Sequence, residues 1–152
     1  MKYKSKKRKN YGLSVFLADD DPDDRELFSE AIAEVGGDTE LKVFHDGNAL
    51  MQELRSSAKL PDVIFLDLYM PKMDGAACLA EIRSDRKFDS IGIVLYSSLI
   101  AMQRIEELFR KGANRYLRKP STYSSLVMSL GRTLESVAKN PTGGMTVINY
   151  TD

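Results

Sequence analysis

The stretch DVIFLDLYMPKMDG at residues 62–75 decides the fold, because an uninterrupted apolar run within it ends in a carboxylate and then turns. Val63–Leu66 is short and contains β-branched residues, which favours a strand buried on both faces of a parallel sheet. Asp67 follows where that strand ends. Ligands bind at the carboxyl ends of strands in open α/β sheets, so Asp67 lies where chemistry is expected. Taken alone, an aspartate at this position is more often a helix cap or a loop residue.

The composition is that of one globular domain. The chain has 152 residues, of which 43% are hydrophobic and 29% charged, enough for a single buried core. No apolar run approaches the ~18 residues of a membrane span, so no membrane insertion is expected. The single cysteine, Cys78, excludes an internal disulfide and a cysteine metal cluster. These features fit a reducing compartment, and we expect a cytoplasmic location.

The charge is unevenly distributed along the chain. Residues 1–10 contain six basic residues and no acid, whereas residues 11–152 contain 16 basic and 22 acidic residues, a formal charge of −6. The apolar run after the basic segment is too short for a signal peptide and leads directly into acids. The basic segment could bind nucleic acid or an acidic partner. A solvated leader is the more ordinary interpretation, so no specific nucleic acid is expected.

Strands and helices alternate along the chain. The predicted strands are residues 14–18, 40–44, 63–66, 91–96 and 115–117, and each is followed by apolar residues at helical spacing. Residues 40–44 alternate polar and apolar side chains, which predicts an edge strand. Neighbouring strands are too far apart along the chain for hairpins, which indicates a parallel sheet with helices on both faces. Residues 139–152 could be a tail or an extra strand.

Polar side chains follow four of these strands, namely Asp19 with Asp20, Asp67, Ser97 and Lys119. Because the carboxyl ends of parallel strands meet at one edge, we expect these side chains to converge. Two carboxylates about 5 Å apart repel by roughly 3 kcal/mol at an effective dielectric constant of 20, so three of them need a cation or raised pKa values. Lys119 supplies one positive charge. Oxygen ligands suit Mg²⁺ as the second cation.

Such a set has the parts for phosphoryl transfer to a carboxylate. Asp67 is the central nucleophile, and the adjacent Asp19 and Asp20 are better placed to hold the metal. Ser97 is a hydroxyl donor to the phosphoryl group in this interpretation and a cap of the following helix in the alternative one. Lys119 considered alone would more often be solvated.

The pattern resembles the receiver domain of bacterial two-component response regulators, of the stand-alone chemotaxis-receiver-like or phytochrome type. The matching pieces are VFLADDDP at 15–22, DLYMPKMDG at 67–75, Ser97 and GANRYLRKP at 112–120. The resemblance implies a flavodoxin-like, doubly wound (βα)5 sandwich whose five-stranded parallel sheet has the order 2-1-3-4-5. It divides the chain into a basic tail at residues 1–12, a receiver domain at residues 13–138 and a C-terminal tail at residues 139–152.

The resemblance also implies a role for each acid. Asp67 would accept a phosphoryl group from a phosphohistidine on a sensor histidine kinase or a histidine phosphotransfer protein. Mg²⁺ would be held by Asp19, Asp20, Asp67 and the backbone carbonyl of Tyr69. The domain would catalyse only its own phosphorylation and dephosphorylation, so it is expected to be a phosphoacceptor rather than an enzyme.

The remaining residues would read the new charge. Ser97 and Lys119 would contact the phosphoryl group, with Lys119 preceding a cis Pro120. Ser97 and Tyr116 would move together and alter the face made by the fourth helix, fifth strand and fifth helix. No DNA-binding domain is expected after residue 138, so a downstream protein target would bind that face. Monomer and homodimer are both open.

Two other classes compete with this interpretation. A phosphatase of the haloacid dehalogenase type needs a second acid two residues beyond its nucleophile, where Asp67 has Tyr69. Asp19 and Asp21 fit that spacing but leave Asp67 and Pro120 without roles. A flavodoxin-like flavin binder needs free backbone donors after the first strand, where this chain has acids.

Overall fold

The computed structural model describes residues 10–149, so most of the basic segment lies outside the described part of the chain. Strands and helices alternate there, with one short 3-10 helix at Arg86–Phe88. The strands are β1 (Ser14–Ala18), β2 (Glu40–Phe44), β3 (Val63–Leu66), β4 (Gly92–Ser97), β5 (Arg115–Arg118) and β6 (Thr146–Ile148). The helices are α1 (Pro22–Val35), α2 (Gly47–Ser56), α3 (Gly75–Ser84), α4 (Met102–Arg110) and α5 (Tyr123–Lys139).

The six strands form one sheet in the order β2-β1-β3-β4-β5-β6, and every neighbouring pair is parallel. This is the flavodoxin-like α/β fold that the sequence predicts. The half-exposed strand β2 lies at one edge, as its alternating pattern predicts. In the part of the chain that the structure describes, no helix combines the length and hydropathy that a membrane crossing requires.

Both faces of the sheet are covered, which explains the unbroken apolar pattern of β3. Ile64 and Leu66 pack into one core with α2, α3 and α4, whereas Val63 and Phe65 pack into a second core with α1 and α5. All four residues of β3 are fully buried. Strands buried on both faces have no solvated side to mark with polar residues, so their polar residues are confined to their ends.

The prediction of five strands is wrong by one, because residues of the expected C-terminal tail form β6 beside β5. Val147 and Ile148 are β-branched and pack against the two cores from the edge of the sheet. Without β6, the outer backbone groups of β5 would be unpaired. Part of the segment expected as a tail is therefore integral to the sheet.

A buried arginine anchors the chain between α5 and β6. Arg115, only 2% exposed, donates to the carbonyl oxygens of Asn140 and Pro141, each at 2.7 Å, and to Ser136 Oγ at 3.1 Å. The carbonyl groups lie at the end of α5, where backbone acceptors lack helical partners. Arg115 therefore satisfies the C-terminal end of α5 and directs the chain toward β6.

Gly92, at the start of β4, gives a stability prediction. A Cβ atom there would lie 2.2 Å from the Pro141 carbonyl oxygen, whereas a Cβ at Gly131 in α5 would meet nothing within 4 Å. We expect Gly92→Ala to lower the free energy of unfolding by about 1–3 kcal/mol, because the backbone must move. Gly131→Ala should raise it by about 0.5–1 kcal/mol. Urea unfolding of both variants checks this pair, and equal effects would contradict the proposed packing.

Candidate functional site

The register of the central strands aligns the acids at the carboxyl edge of the sheet. Ala18 pairs with Leu66, so the next residues, Asp19 and Asp67, leave the sheet at the same level. The Asp67 N–H donates to the Ala18 carbonyl at 3.0 Å and fixes this alignment. On the other side, Leu66 pairs with Leu95 of β4. The convergence predicted from the sequence therefore follows from strand pairing.

Asp19, Asp20 and Asp67 form an acidic group in which one carboxylate oxygen from each lies within 4.8 Å of the others. Asp19 is fully buried, Asp67 is 5% exposed and Asp20 is exposed. Backbone N–H groups orient the two buried acids. Asp21 donates to Asp19 Oδ1 at 3.0 Å, and Tyr69 donates to Asp67 Oδ1 at 3.1 Å. One side of this group is held by protein and the other faces solvent.

The surroundings of the second carboxylate oxygen of Asp19, Oδ2, indicate whether these residues fit a cation. Within the described residues, Asp19 Oδ2 is a buried polar atom that accepts no hydrogen bond. The Lys119 ammonium lies 3.0 Å away as an ion-pair partner, but Asp24 and Asp67 share the same ammonium. A buried carboxylate oxygen without a hydrogen bond is costly. The acidic group can hold a metal ion, and its oxygen donors suit a hard divalent cation such as Mg²⁺.

Gly75 allows the loop after β3 to pack closely against the backbone of Asp67. A Cβ atom at Gly75 would lie 2.3 Å from the Asp67 carbonyl oxygen. The Gly75 N–H donates to the Leu68 carbonyl at 3.0 Å, and Asp74 caps α3 through the Ala77 N–H. The close backbone contact holds the start of α3 directly behind Asp67, which explains the glycine at this position.

Lys119 links three carboxylates at the end of β5. Its Nζ atom lies 3.0 Å from Asp19, 2.9 Å from Asp24 and 3.2 Å from Asp67. Burial by itself would lower the pKa of Lys119. The hydrogen bond to Asp24 and the charges of Asp19 and Asp67 outweigh burial and raise the pKa above its ordinary value. Lys119 is therefore a permanent cation rather than a solvated surface lysine.

Burial is the main cause that raises the pKa of Asp19 to about 6, against the opposing effects of the Asp21 N–H and Lys119. Because folding raises this pKa, the folded state binds the proton more tightly than the unfolded state. The stabilisation that this bound proton gives the folded state is lost as the pH rises through about 6. In metal-free protein, lowering the pH from about 7 to 5 should therefore stabilise wild type by about 1 kcal/mol more than Asp19→Asn. Urea unfolding with a chelator at both pH values checks this. Equal pH responses of the two proteins would contradict it.

Ser97 and Tyr116 are connected through one carbonyl group. Ser97 Oγ donates to the Ser98 carbonyl at 2.9 Å, and the Tyr116 hydroxyl donates to the same oxygen at 2.8 Å. Both side chains are fully buried. The structure therefore holds Ser97 turned toward its own loop and Tyr116 turned inward.

The structure tests two expectations from the sequence, the capping of α4 by Ser97 and the cis peptide bond before Pro120. The N-cap of α4 is Ala101, which makes no side-chain capping bond, so Ser97 does not cap that helix. Among residues 10–149 no peptide bond is cis, so the expected cis bond before Pro120 is wrong and the bond is trans. The trans form is intrinsically favoured for bonds before proline, by about 0.5–1 kcal/mol.

Two residues near Lys119 were missed from the sequence. Asp24 lies in the first turn of α1, where acids are favoured by the helix dipole, so its position in the sequence does not indicate a contact with Lys119. Tyr96 looks like an ordinary apolar residue of β4. Its ring lies 5.2 Å from Lys119 Nζ, and burial raises the pKa of its hydroxyl. Apart from its aromatic ring, Tyr96 has no feature in the sequence that indicates a contact with Lys119.

Residues 15–130 match the family model described as the response regulator receiver domain. The match spans about three quarters of the chain, and the chain belongs to this family. The phosphorylated cyanobacterial phytochrome response regulator RcpA is 33% identical, with a TM-score of 0.74 over 81% of this chain and 91% of RcpA. The Mn²⁺-bound form of the response regulator Rcp1 is 27% identical, with a TM-score of 0.71 over 82% of this chain and 92% of Rcp1.

A curated relative is the probable C4-dicarboxylate response regulator DctR of Bacillus subtilis. It is 31% identical over 106 residues, which cover 70% of this chain and 45% of DctR. The chain spans about half the length of such relatives. The similarity therefore concerns the receiver domain, and the output of the whole relatives is a separate question.

Proposed function

We propose that this receiver domain accepts a phosphoryl group on Asp67, with the help of Mg²⁺, and thereby switches a protein-interaction surface. The donor would be a phosphohistidine on a sensor histidine kinase or a histidine phosphotransfer protein in the cytoplasm. One observation carries the proposal. Asp67 lies 3.2 Å from the Lys119 ammonium and belongs to the same acidic group as Asp19, whose Oδ2 is a buried oxygen without a hydrogen bond.

The transfer step requires an aligned carboxylate. An oxygen of Asp67 attacks phosphorus while the bond from phosphorus to the donor imidazole nitrogen breaks, and that nitrogen keeps the electron pair and takes up a proton. The Tyr69 N–H holds Asp67 Oδ1 in place, and Lys119 offsets the negative charge near Oδ2. Water later attacks phosphorus, breaks the bond to Asp67 and releases inorganic phosphate. The domain is thus a signalling phosphoacceptor.

Mg²⁺, when bound, would neutralise oxygens of the phosphoryl group and of the acids around it. Asp19, Asp20, Asp67 and the backbone carbonyl of Tyr69 would hold it. The exposed Asp20 side chain keeps the solvent side of the acidic group open to a donor. The similar response regulator Rcp1 has a Mn²⁺-bound form, which supports the binding of a divalent cation by this domain.

The shared acceptor at Ser98 suggests how the new charge is transmitted. A phosphoryl group offers stronger acceptor oxygens than a carbonyl, so the Ser97 hydroxyl would turn toward it. The Ser98 carbonyl would then lose the Ser97 hydroxyl as a donor, and the Tyr116 hydroxyl that donates to the same oxygen would rearrange. Tyr116 lies in β5, between α4 and α5, so a downstream protein would detect the change on that face.

The phosphatase alternative is less well supported. The Asp21 side chain accepts from the N–H groups of Asp23 and Asp24 as the N-cap of α1, so it is committed to the helix. Two residues beyond Asp67 stands Tyr69, which is 63% exposed and has no carboxylate. Neither candidate nucleophile, Asp19 or Asp67, therefore has the free second acid that such a phosphatase needs.

Amide NMR spectra with Mg²⁺ and beryllofluoride, a mimic of the phosphoryl group, test the switch. We expect shifts near Asp67 and also along the path through Ser97, Ser98 and Tyr116, and no shift with beryllofluoride alone. A change confined to the residues around Asp67 would contradict the transmission step. Absence of any binding with Mg²⁺ present would contradict the site itself.

A further inference from the structure

Lys119 has a carboxylate partner, Asp24, that lies outside the acidic group of Asp19, Asp20 and Asp67. Asp24, in the first turn of α1, accepts a hydrogen bond from Lys119 Nζ at 2.9 Å. This is shorter than the 3.2 Å hydrogen bond from the same nitrogen to Asp67. The Asp24 side chain is 34% exposed, so it approaches the lysine from the rim of the site.

The start of α1 does not require the Asp24 carboxylate. Asp21 is the N-cap, and it satisfies the backbone N–H of Asp24 itself. Asp24 is also outside the set of three acids whose oxygens lie within 4.8 Å of one another. The contact with Lys119 is therefore the interaction that this side chain makes with the site.

The Lys119 ammonium is confined near these acids. The Tyr96 ring lies 5.2 Å from Nζ, where a ring face attracts a cation. Only 18% of the Lys119 side chain is exposed, so its ammonium cannot move readily into solvent. Its charge is consequently divided among Asp19, Asp24 and Asp67 rather than directed to one of them.

We propose that Asp24 sets the charge balance of the site: by competing for Lys119, it weakens binding of a phosphoryl group at Asp67 and strengthens binding of a divalent cation. This inference rests on the proposed function of Asp67. Asp24 is a positioning residue, because it acts through Lys119.

The opposite signs follow from electrostatics. The Asp24 and Asp67 oxygens are at most about 6 Å apart, because both contact the same nitrogen. A phosphoryl group places more negative charge on the Asp67 side, which the charge of Asp24 opposes at that range. A cation beside Asp67 is favoured by the same charge. Because Asp24 is partly exposed, solvent screens both effects, and we expect changes of about threefold to tenfold.

Titrations of Asp24→Asn provide the test, with Asp23→Asn as the matched control. Asp23 is an exposed acid in the same helical turn, so its variant has the same change in net charge. We expect Asp24→Asn to bind beryllofluoride about threefold to tenfold more tightly at saturating Mg²⁺, and to bind Mg²⁺ alone more weakly by a similar factor. Asp24→Glu, which keeps the charge, should stay within about twofold of wild type, and Asp23→Asn should change either affinity by less than about twofold.

A merely structural role for Asp24 would weaken both affinities together, and that result would overturn the inference. Equal effects of Asp24→Asn and Asp23→Asn would overturn it as well, because they would reflect net charge alone. The proposed function fails differently, since wild type itself would then bind no beryllofluoride with Mg²⁺. Thermal unfolding of each variant confirms that the titrated protein is folded.

Discussion

Replacing Asp67 with asparagine is expected to lower the rate of phosphoryl uptake from a small phosphodonor by at least about a hundredfold. The amide oxygen is neutral and a poor nucleophile, and the metal site loses one charged ligand. The fold should remain, because the amide oxygen can still accept from the Tyr69 N–H. Removal of one charge from a crowded acidic group offsets the weaker contact with Lys119. Intact mass measured over time in Mg²⁺ follows the uptake.

Glu26→Gln is the matched control for this variant. Glu26 is an exposed acid on α1, so its replacement makes the same isosteric change away from the site. It should take up the phosphoryl group at the wild-type rate. Phosphoryl uptake by Asp67→Asn at a rate within about threefold of the control would contradict the assignment of Asp67 as the nucleophile.

Replacing Lys119 with methionine is expected to lower the free energy of unfolding by about 1–3 kcal/mol in metal-free protein at neutral pH, because three carboxylates lose their shared cation. Partial exposure of the lysine and of Asp24 keeps this below the cost of breaking a fully buried pair. Saturating Mg²⁺ at about 100 times its dissociation constant should restore up to about 2.7 kcal/mol. Urea unfolding with a chelator and with Mg²⁺ measures both changes.

Lys111→Met is the control for this prediction, because Lys111 is 55% exposed and its partner Glu107 lies on the surface. Its loss should cost less than about 0.5 kcal/mol, and this cost should be the same with a chelator and with Mg²⁺, because Mg²⁺ should stabilise Lys111→Met as much as wild type. Folded Lys119→Met should also bind beryllofluoride without the shifts at Tyr116, because the group that aligns the phosphoryl is missing. Full shifts at Tyr116 in that variant would contradict the role of Lys119 in coupling.

Strand pairing explains why the fold and the convergence of the acids could be predicted from the sequence. An apolar run such as Val63–Leu66 has few stable arrangements besides a strand covered on both faces. Once the sheet is parallel, the carboxyl ends of its strands lie at one edge, so the proximity of Asp19, Asp67 and Lys119 follows without knowledge of any side-chain position. The confirmed parts thus depend on periodicity and topology.

The details that were missed depend on tertiary contacts that leave no periodic signal. The short strand β6 is held by Arg115, whose position in β5 does not reveal that it reaches the end of α5. Asp24 satisfies the rule that acids favour helix N-termini. That rule fully explains an acid at this position, so the sequence gives no reason to expect a contact with Lys119. Local propensity accounts for a residue's presence, but it does not exclude a second role.

Intact mass of the wild-type protein with a small phosphodonor, measured with and without Mg²⁺, tests the phosphoacceptor role most directly. We expect a gain of one phosphoryl group only with Mg²⁺, and peptide mapping after borohydride reduction of the acyl phosphate should place it at Asp67. Consumption of the donor without any stable or trappable adduct would favour a phosphatase instead. A phosphoryl group found at another residue would contradict the account.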